Sequence, residues 1–188
     1  MTSQTRYTSL DLESMPDNGK RYEIIDGELL VSKQPHYSHQ RVCSNLAFVF
    51  ESWDRQTGKG EVTVAPGLIF ADDDDVAPDV VWISDARLSA ALSGDGKLHT
   101  APELVIEVLS PGSTNRRRDR ETKLKLYSRR GVDEYWVVDW QLRLIEVYRR
   151  NRAQLELAAT LREGDSLDSP LLPGFSCQVE SIFTRVGS

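Results

Sequence analysis

The spacing of apolar residues along the chain predicts two long amphipathic helices. Between residues 38 and 53, apolar side chains recur at steps of three and four, as in a helix that buries one face: Val42, Leu46, Val49, Phe50 and Trp53. A second helix is predicted over residues 118–130, where Gly131 would end it. A short helix is also expected over residues 10–15.

Shorter apolar runs predict strands. Residues 22–25 and 28–31 flank Asp26-Gly27, a signal for a tight hairpin. Five further strands are expected, three between the two long helices and two after them: 61–70, 79–83, 104–109, 134–139 and 143–148. The four consecutive acids at 72–75 are expected to form a solvated loop. The order helix, three strands, helix and strand, with extra strands at each end, predicts an α/β domain around a mixed central sheet.

Length and composition are those of one globular domain. Of the 188 residues, 39% are hydrophobic and 28% charged, so a single domain over residues 1–188 is expected, with its central part at about 20–150. No run approaches the roughly 20 apolar residues that span a bilayer, so a soluble cytoplasmic protein with no membrane partner is expected. Cys43 and Cys177 lie outside any metal-binding spacing and are expected to be ordinary thiols.

The formal net charge of −6 argues against a protein that coats nucleic acid through bulk electrostatics. Any contact with phosphates must therefore be local. One stretch in and before the second predicted helix is dense in basic residues: Arg116, Arg117, Arg118, Arg120, Lys123, Lys125, Arg129 and Arg130. A solvated helix face is the simpler interpretation of such a stretch, and phosphate binding is the alternative.

One carboxylate interrupts an otherwise apolar strand. Glu107 lies within residues 104–109, whose other side chains form the continuous apolar pattern of a strand buried on both faces. Burying an unpaired ionised carboxylate costs much free energy, so Glu107 requires a cation, a metal or a solvent-filled cleft. An edge strand with Glu107 facing water is the alternative.

A second carboxylate, Asp79, follows Pro78 and opens another apolar strand. If the two strands are neighbours, Asp79 and Glu107 can project from the same face of the sheet, because side chains alternate with a period of two. Mg²⁺ takes few protein ligands and keeps several waters, so it suits this sparse pair better than Ca²⁺ does.

Two lysines in the second predicted helix occupy different faces. Lys123 precedes Leu126 and Tyr127 by three and four residues, so it shares a face with apolar side chains and is expected to point inward. A lysine whose stem is buried while its ammonium reaches water is the alternative. Lys125 lies on another face and is expected to be exposed.

Several segments together resemble one bacterial family. They are 21–29 (RYEIIDGEL), 78–80 (PDV), 107–111 (EVLSP), 119–127 (DRETKLKLY), 131–139 (GVDEYWVVD) and 172–175 (LPGF). This combination resembles the restriction endonuclease domain proteins, a widespread family long catalogued as a domain of unknown function within the PD-(D/E)XK nuclease superfamily. The resemblance covers nearly the whole chain.

The resemblance implies a restriction-endonuclease-like core and a metal-dependent endonuclease that hydrolyses DNA. In such a site Asp79 and Glu107 would bind Mg²⁺, with Mn²⁺ as a substitute, and Lys123 would complete the catalytic set. The superfamily's usual lysine lies two residues after the second carboxylate, where this chain has Leu109. Lys123, in the helix, is expected to replace it.

The remaining candidates are substrate-binding residues: Glu23, His39, Arg116, Arg118 and Lys125. Glu23 and His39 match family positions, although His39 could equally be a hydrogen-bonded histidine at a helix start. Two rival functions stay open: an inactive nuclease fold that binds nucleic acid or protein, and a structural module in which Glu107 pairs with Lys123. A homodimer is a further expectation, since cutting two strands requires two sites.

Overall fold

The computed structural model describes residues 5–187. The strands, in chain order, are β1 (Arg21–Ile25), β2 (Glu28–Ser32), β3 (Gly60–Val64), β4 (Leu68–Ala71), β5 (Asp74–Val76), β6 (Val80–Ser84), β7 (Leu104–Val108), β8 (Glu134–Asp139), β9 (Leu144–Asn151), β10 (Gln154–Arg162), β11 (Ser166–Asp168) and β12 (Ser176–Gln178). The helices are α1 (Ser9–Glu13), α2 (Tyr37–Thr57), α3 (Asp85–Ala91), α4 (Ser113–Arg117), a π-helical segment (Arg118–Lys123), α5 (Leu124–Arg130) and α6 (Val179–Ile182).

The main sheet has six strands in the spatial order β10-β9-β8-β7-β6-β3. Only the β7–β8 pair is parallel, so the predicted mixed sheet is confirmed. Its crossover connection contains a continuous helical stretch made of α4, the π segment and α5, called here the crossover helix. In the antiparallel β6–β7 pair, Val80 faces Ile106. One step further in that register, Asp79 stands opposite Glu107.

Two apolar layers cover the main sheet, because alternate residues of each strand face opposite sides. On one side Val42, Leu46 and Phe50 of α2 pack against even-numbered β7 residues, together with the closing segment that includes Phe175. On the other side the crossover helix and the small sheet β2-β1-β5-β4 pack against odd-numbered β7 residues. Glu107 belongs to the second side, which directs it toward the crossover helix.

The hairpin prediction is confirmed. β1 and β2 pair antiparallel with Ile25 opposite Glu28. Asp26 and Gly27 between them have φ angles of 54° and 75°, the left-handed pair that a tight turn of this kind requires. The hairpin carries Arg21 and Glu23 to the edge of the main sheet, where both reach the candidate site.

Two local predictions are wrong. The single strand expected over 61–70 is divided between two sheets, because Ala65 adopts a left-handed φ of 51° and Pro66-Gly67 turn the chain between β3 and β4. The acids at 72–75 are not a solvated loop throughout, since Asp74 and Asp75 are buried in β5. Asp74 accepts hydrogen bonds from the Arg129 and Arg130 guanidinium groups, which compensate its charge.

The helix boundaries differ from those expected. The crossover helix begins at Ser113 rather than near residue 118, and it ends as predicted at Gly131, whose φ is 91°. α2 continues beyond residue 53 to Thr57 and ends at Gly58 with a φ of 58°. Helix α3 was not predicted at all. Within residues 5–187, none of the helices has the length and apolarity needed to cross a bilayer.

Candidate active site

The start of β6 and the end of β7 form the floor of a cleft of about 290 Å³. The β1–β2 hairpin, the start of α2 and the crossover helix form its walls. Its lining includes the three predicted catalytic residues and several basic or polar neighbours: Asp79, Glu107, Lys123, His39, Arg118, Asp119, Lys20, Arg21 and Lys33. The sequence-predicted set therefore converges in one place.

Asp79 is held by hydrogen bonds on both carboxylate oxygens. Oδ2 accepts from the Val108 backbone N–H at 2.9 Å and lies 3.1 Å from His39 Nε2. Oδ1 accepts from the Arg21 guanidinium at 3.0 Å. Burial disfavours the charge, but the hydrogen bond from His39 and the cations Arg21 and Lys123 outweigh burial and hold the pKa of Asp79 well below its ordinary value. Asp79 is therefore ionised at neutral pH.

Glu107 uses one oxygen for its neighbours. Its Oε1 accepts from Lys123 Nζ at 2.8 Å and from the Tyr127 hydroxyl at 2.7 Å. Within residues 5–187, no hydrogen bond reaches Oε2, and the residue borders the cleft. Burial and the nearby negative charge of Asp79 raise the pKa of Glu107 to about 8, against the opposing effect of Lys123. A cation in the cleft would favour its charged form.

Lys123 is inside the protein, as predicted. Its side chain is 1% exposed, so the alternative in which the ammonium reaches bulk water is wrong. Nζ donates to Glu107 and, at 3.0 Å, to Glu23 Oε1. Burial opposes the charge of Lys123, yet Glu107 and Glu23 raise its pKa above the ordinary value. The residue ends the π segment, a helical irregularity that occurs frequently at functional sites.

The sequence of this chain matches a known protein family. A family described as "Uma2: Putative restriction endonuclease" matches residues 9–180. The chain belongs to the Uma2 family. This membership and the fold confirm the predicted restriction-endonuclease-like class and support a nuclease-like function. No curated protein matches the chain.

Two solved structures resemble this Uma2 protein. The crystal structure of a putative nuclease belonging to DUF820 from Anabaena variabilis superposes with a TM-score of 0.72 at 18% identity, covering 94% of this chain and 97% of that one. This likeness shows the fold. The type IIG restriction endonuclease BpuSI matches with a TM-score of 0.42 and 16% identity over 81% of this chain and 16% of that chain, a similarity too loose to argue from.

The five predicted substrate-binding residues of this Uma2 chain occupy different surroundings. Glu23 accepts a hydrogen bond from Lys123, and His39 borders the cleft beside Asp79. Arg118 lines the cleft while donating to Asp119 and to the Ser32 hydroxyl. Arg116 is absent from the cleft lining and is directed to Asp139 and Gln141. Lys125 is exposed, as predicted, and borders a neighbouring groove.

Most of the basic stretch is neutralised by ion pairs. Among the residues described, pairs join Arg117 to Glu121 and Arg120 to Glu146, while Arg129 and Arg130 both pair with Asp74. These arginines therefore fit the simpler interpretation of a paired helix face. The sequence did not identify three further cations on the hairpin side of the cleft: exposed Lys20 and Lys33, and half-buried Arg21, which pairs with Asp79.

Tyr127 and Asp119 also escaped sequence reasoning as site residues of this Uma2 chain. Asp119, Lys123 and Tyr127 are spaced four residues apart, which places them on one face of the crossover helix. All three are buried, and all three lie at or beside the site. The four-residue repeat of polar groups on an inward helix face was the signal that could have identified them.

Proposed function

We propose that this chain is a Mg²⁺-dependent endonuclease that hydrolyses DNA phosphodiester bonds. In this proposal Asp79 and Glu107 bind the metal, and Lys123 is the catalytic cation. One observation carries it: Asp79 and Glu107 face each other across adjacent strands in a cleft, with Lys123 Nζ 2.8 Å from Glu107. Membership in the Uma2 family supports a nuclease-like activity.

The residues fit a Mg²⁺ ion. Asp79 is ionised in its surroundings, and Glu107 keeps Oε2 without a hydrogen bond from residues 5–187 while bordering the cleft. Mg²⁺ takes oxygen ligands, and in phosphoryl-transfer sites one or two carboxylates with several waters are usual. The Val108 carbonyl, next to Glu107 in the chain, is a further candidate ligand.

Side chains and one backbone group of this chain would supply the other catalytic and positioning roles. When bound, Mg²⁺ would polarise the phosphate and lower the pKa of a water. Lys123 has three N–H donors, of which Glu107 and Glu23 take two, so the third is available for a phosphate oxygen that gains charge. His39 and the Val108 N–H fix the orientation of Asp79. Tyr127 fixes that of Glu107.

DNA would be held locally rather than by the overall charge, which is −6. Lys20 and Lys33 are exposed on the cleft, and Arg118 borders both it and the adjoining grooves. Each can contact a backbone phosphate on either side of the scissile bond, a kind of contact that positions DNA without reading its sequence. We also propose a homodimer for concerted cutting of two strands, which light scattering of the purified protein would test.

The test combines metal binding with cleavage. Mg²⁺ and Mn²⁺ are titrated calorimetrically into wild type, Asp79→Asn, Glu107→Gln and Lys123→Met, and each protein is incubated with supercoiled plasmid and with single-stranded DNA. Asp72→Asn and Lys59→Met, both at exposed positions outside the cleft, are matched controls. We expect the two carboxylate variants to lose metal binding and all three site variants to lose cleavage.

The rival functions give other results. A wild type that folds normally but binds neither metal would contradict the nuclease proposal and favour the structural ion pair between Glu107 and Lys123. Metal binding without cleavage of either DNA would favour a nuclease fold that only binds its partner. Cleavage that persists in Asp79→Asn would assign the activity to another site or to a contaminant.

A further inference from the structure

A second group of side chains with metal-binding atoms lies at the edge of the cleft. His39, Cys43 and Asp79 each offer one donor atom, and these three atoms lie within 4.8 Å of one another. All three residues are buried. The proposed nuclease chemistry gives Cys43 no role.

The fold fixes the three side chains independently of any ion. His39 and Cys43 are four residues apart on α2, so they share one face of a long helix. Cys43 Sγ lies 3.7 Å from His39 Nδ1, while His39 Nε2 lies 3.1 Å from Asp79 Oδ2. The imidazole therefore contacts both a thiol and a carboxylate. Because helix α2 and the start of β6 fix the backbone positions, the three side chains cannot move far apart.

The donor atoms suit a different metal from Mg²⁺. Imidazole nitrogen and thiolate sulfur bind Zn²⁺ and similar ions, whereas Mg²⁺ prefers oxygen ligands. Catalytic-type zinc sites use three protein ligands and leave the fourth position open. His39 and Asp79 border the cleft, so an ion held here would have its open position toward solvent.

The distances are close to those required. Bonds of about 2.0–2.3 Å at tetrahedral angles separate neighbouring ligand atoms by roughly 3.3–3.6 Å. A spread of up to 4.8 Å therefore requires side-chain shifts of about an ångström. The ion would replace the contact that now joins His39 Nε2 to Asp79 Oδ2. A thiol that coordinates such an ion is deprotonated by it, so a protonated Cys43 in the metal-free protein does not prevent binding.

We propose that His39, Cys43 and Asp79 form a site for Zn²⁺ or another thiolate-binding divalent ion, adjacent to the proposed Mg²⁺ site. Asp79 would belong to both. A zinc ion at Asp79 would add positive charge beside the proposed Mg²⁺ site, and the affinity of that site for Mg²⁺ would fall. Only this last consequence rests on the proposed nuclease function.

Cobalt substitution tests the site without any measurement of cleavage. Co²⁺ is titrated into the full metal-free chain, and thiolate-to-cobalt charge transfer is followed by near-ultraviolet absorption. We expect this absorption in wild type and in Cys177→Ala, which removes the other free cysteine as a matched control. It should disappear in Cys43→Ala and weaken in His39→Gln, and Zn²⁺ should abolish it whereas excess Mg²⁺ should not.

Circular dichroism and thermal unfolding in EDTA establish that each variant is folded. A wild type with no thiolate absorption overturns the proposal. So does absorption that survives in folded Cys43→Ala or that depends on Cys177. A protein that shows the cobalt site but cuts no DNA would retain this inference while contradicting the nuclease function, so the two failures are distinguishable.

Discussion

The Tyr127 hydroxyl donates a 2.7 Å hydrogen bond to Oε1 of Glu107, the same oxygen that receives the Lys123 ammonium. Both donors thus hold one side of the carboxylate, and the other oxygen is left without a hydrogen bond from the described part of the chain. Tyr127 is fully buried between the crossover helix and the main sheet. In the proposed metal site it would act through Glu107, as a positioning residue.

Tyr127→Phe should lower the affinity for metal markedly and the free energy of unfolding only moderately. Groups that orient metal ligands typically contribute 10–100-fold in affinity, so we expect Mn²⁺ affinity to fall by roughly tenfold. Loss of a buried hydrogen bond to a carboxylate should cost about 1–3 kcal/mol of unfolding free energy. Calorimetric titration and urea unfolding measure the two effects.

Tyr135→Phe is the matched control. Tyr135 is a buried tyrosine beside Tyr127, with ring centroids 5.1 Å apart, and its hydroxyl donates to the Asp119 backbone carbonyl at 2.9 Å. We expect a comparable loss of stability and unchanged metal affinity. Equal losses of affinity in both variants would show that Tyr127 acts only through packing.

Lys123→Met should destabilise the protein strongly at neutral pH. Removal of the cation leaves Glu23 and Glu107 buried without it, and breaking a buried pair in this way costs about 3–5 kcal/mol. In wild type the pKa of Glu23 is lowered: burial opposes its charge, but Lys123 and Arg118 outweigh burial. Ionised Glu23 therefore stabilises the fold at pH values above its pKa in the unfolded chain. This stabilisation is lost as the pH falls through the pKa of Glu23 in the folded protein.

The pH dependence separates this ion pair from simple packing. Without Lys123, Glu23 favours its protonated form, so the difference between variant and wild type should shrink as pH falls from 7.5 toward 4.5. Urea unfolding at both pH values measures it. Adding Glu23→Gln to Lys123→Met should recover part of the loss at pH 7.5. A deficit that is independent of pH and of Glu23 would contradict the electrostatic explanation.

DNA binding should depend on Lys33 and not on Arg116. Exposed Lys33 lines the cleft, whereas Arg116 is directed to buried Asp139 at 2.9 Å. Each phosphate contact contributes about 0.9 to the slope of log affinity against log salt for duplex DNA and about 0.7 for single strands. Lys33→Gln should reduce the slope by that amount, and Arg116→Gln should not, as measured by fluorescence anisotropy.

The sequence predicted features whose signal lies within a single helix, strand or turn, such as a charged side chain in an apolar strand. A carboxylate inside the apolar run of β7 requires a partner, and Lys123 supplies it. The inward orientation of Lys123 followed from its spacing to Leu126 and Tyr127. The hairpin followed from Asp26-Gly27, since only a few residue pairs tolerate two left-handed conformations in succession.

Sequence reasoning failed where tertiary contacts decide the outcome. Four consecutive acids normally form a solvated loop, but Asp74 is buried because Arg129 and Arg130, over fifty positions away, pair with it. The break between β3 and β4 was signalled by Pro66-Gly67, yet apolar residues on both sides concealed it. The pairing of Arg116 with Asp139 also depends on contacts between distant segments and has no local signal.

Asp54 gives the final prediction, away from the site. Its Oδ2 accepts from the Trp82 indole N–H at 2.7 Å, while Oδ1 is buried and has no hydrogen-bond partner among residues 5–187. Burial, together with nearby acids such as Glu51, raises the pKa of Asp54 to about 6. The folded state thus binds this proton more tightly than the unfolded chain, so the associated stability is complete below about pH 4. It is lost as pH rises through 6.

Asp54→Asn should therefore stabilise the protein at high pH only. Asparagine keeps an oxygen for Trp82 and removes the buried charge, so we expect a gain of about 1–2 kcal/mol at pH 8. Near pH 4.5 the difference should approach zero. Urea unfolding of both proteins at the two pH values measures it, with Asp72→Asn as an exposed control. A variant less stable than wild type at pH 8 would mean that the Asp54 carboxylate is better solvated than its burial implies.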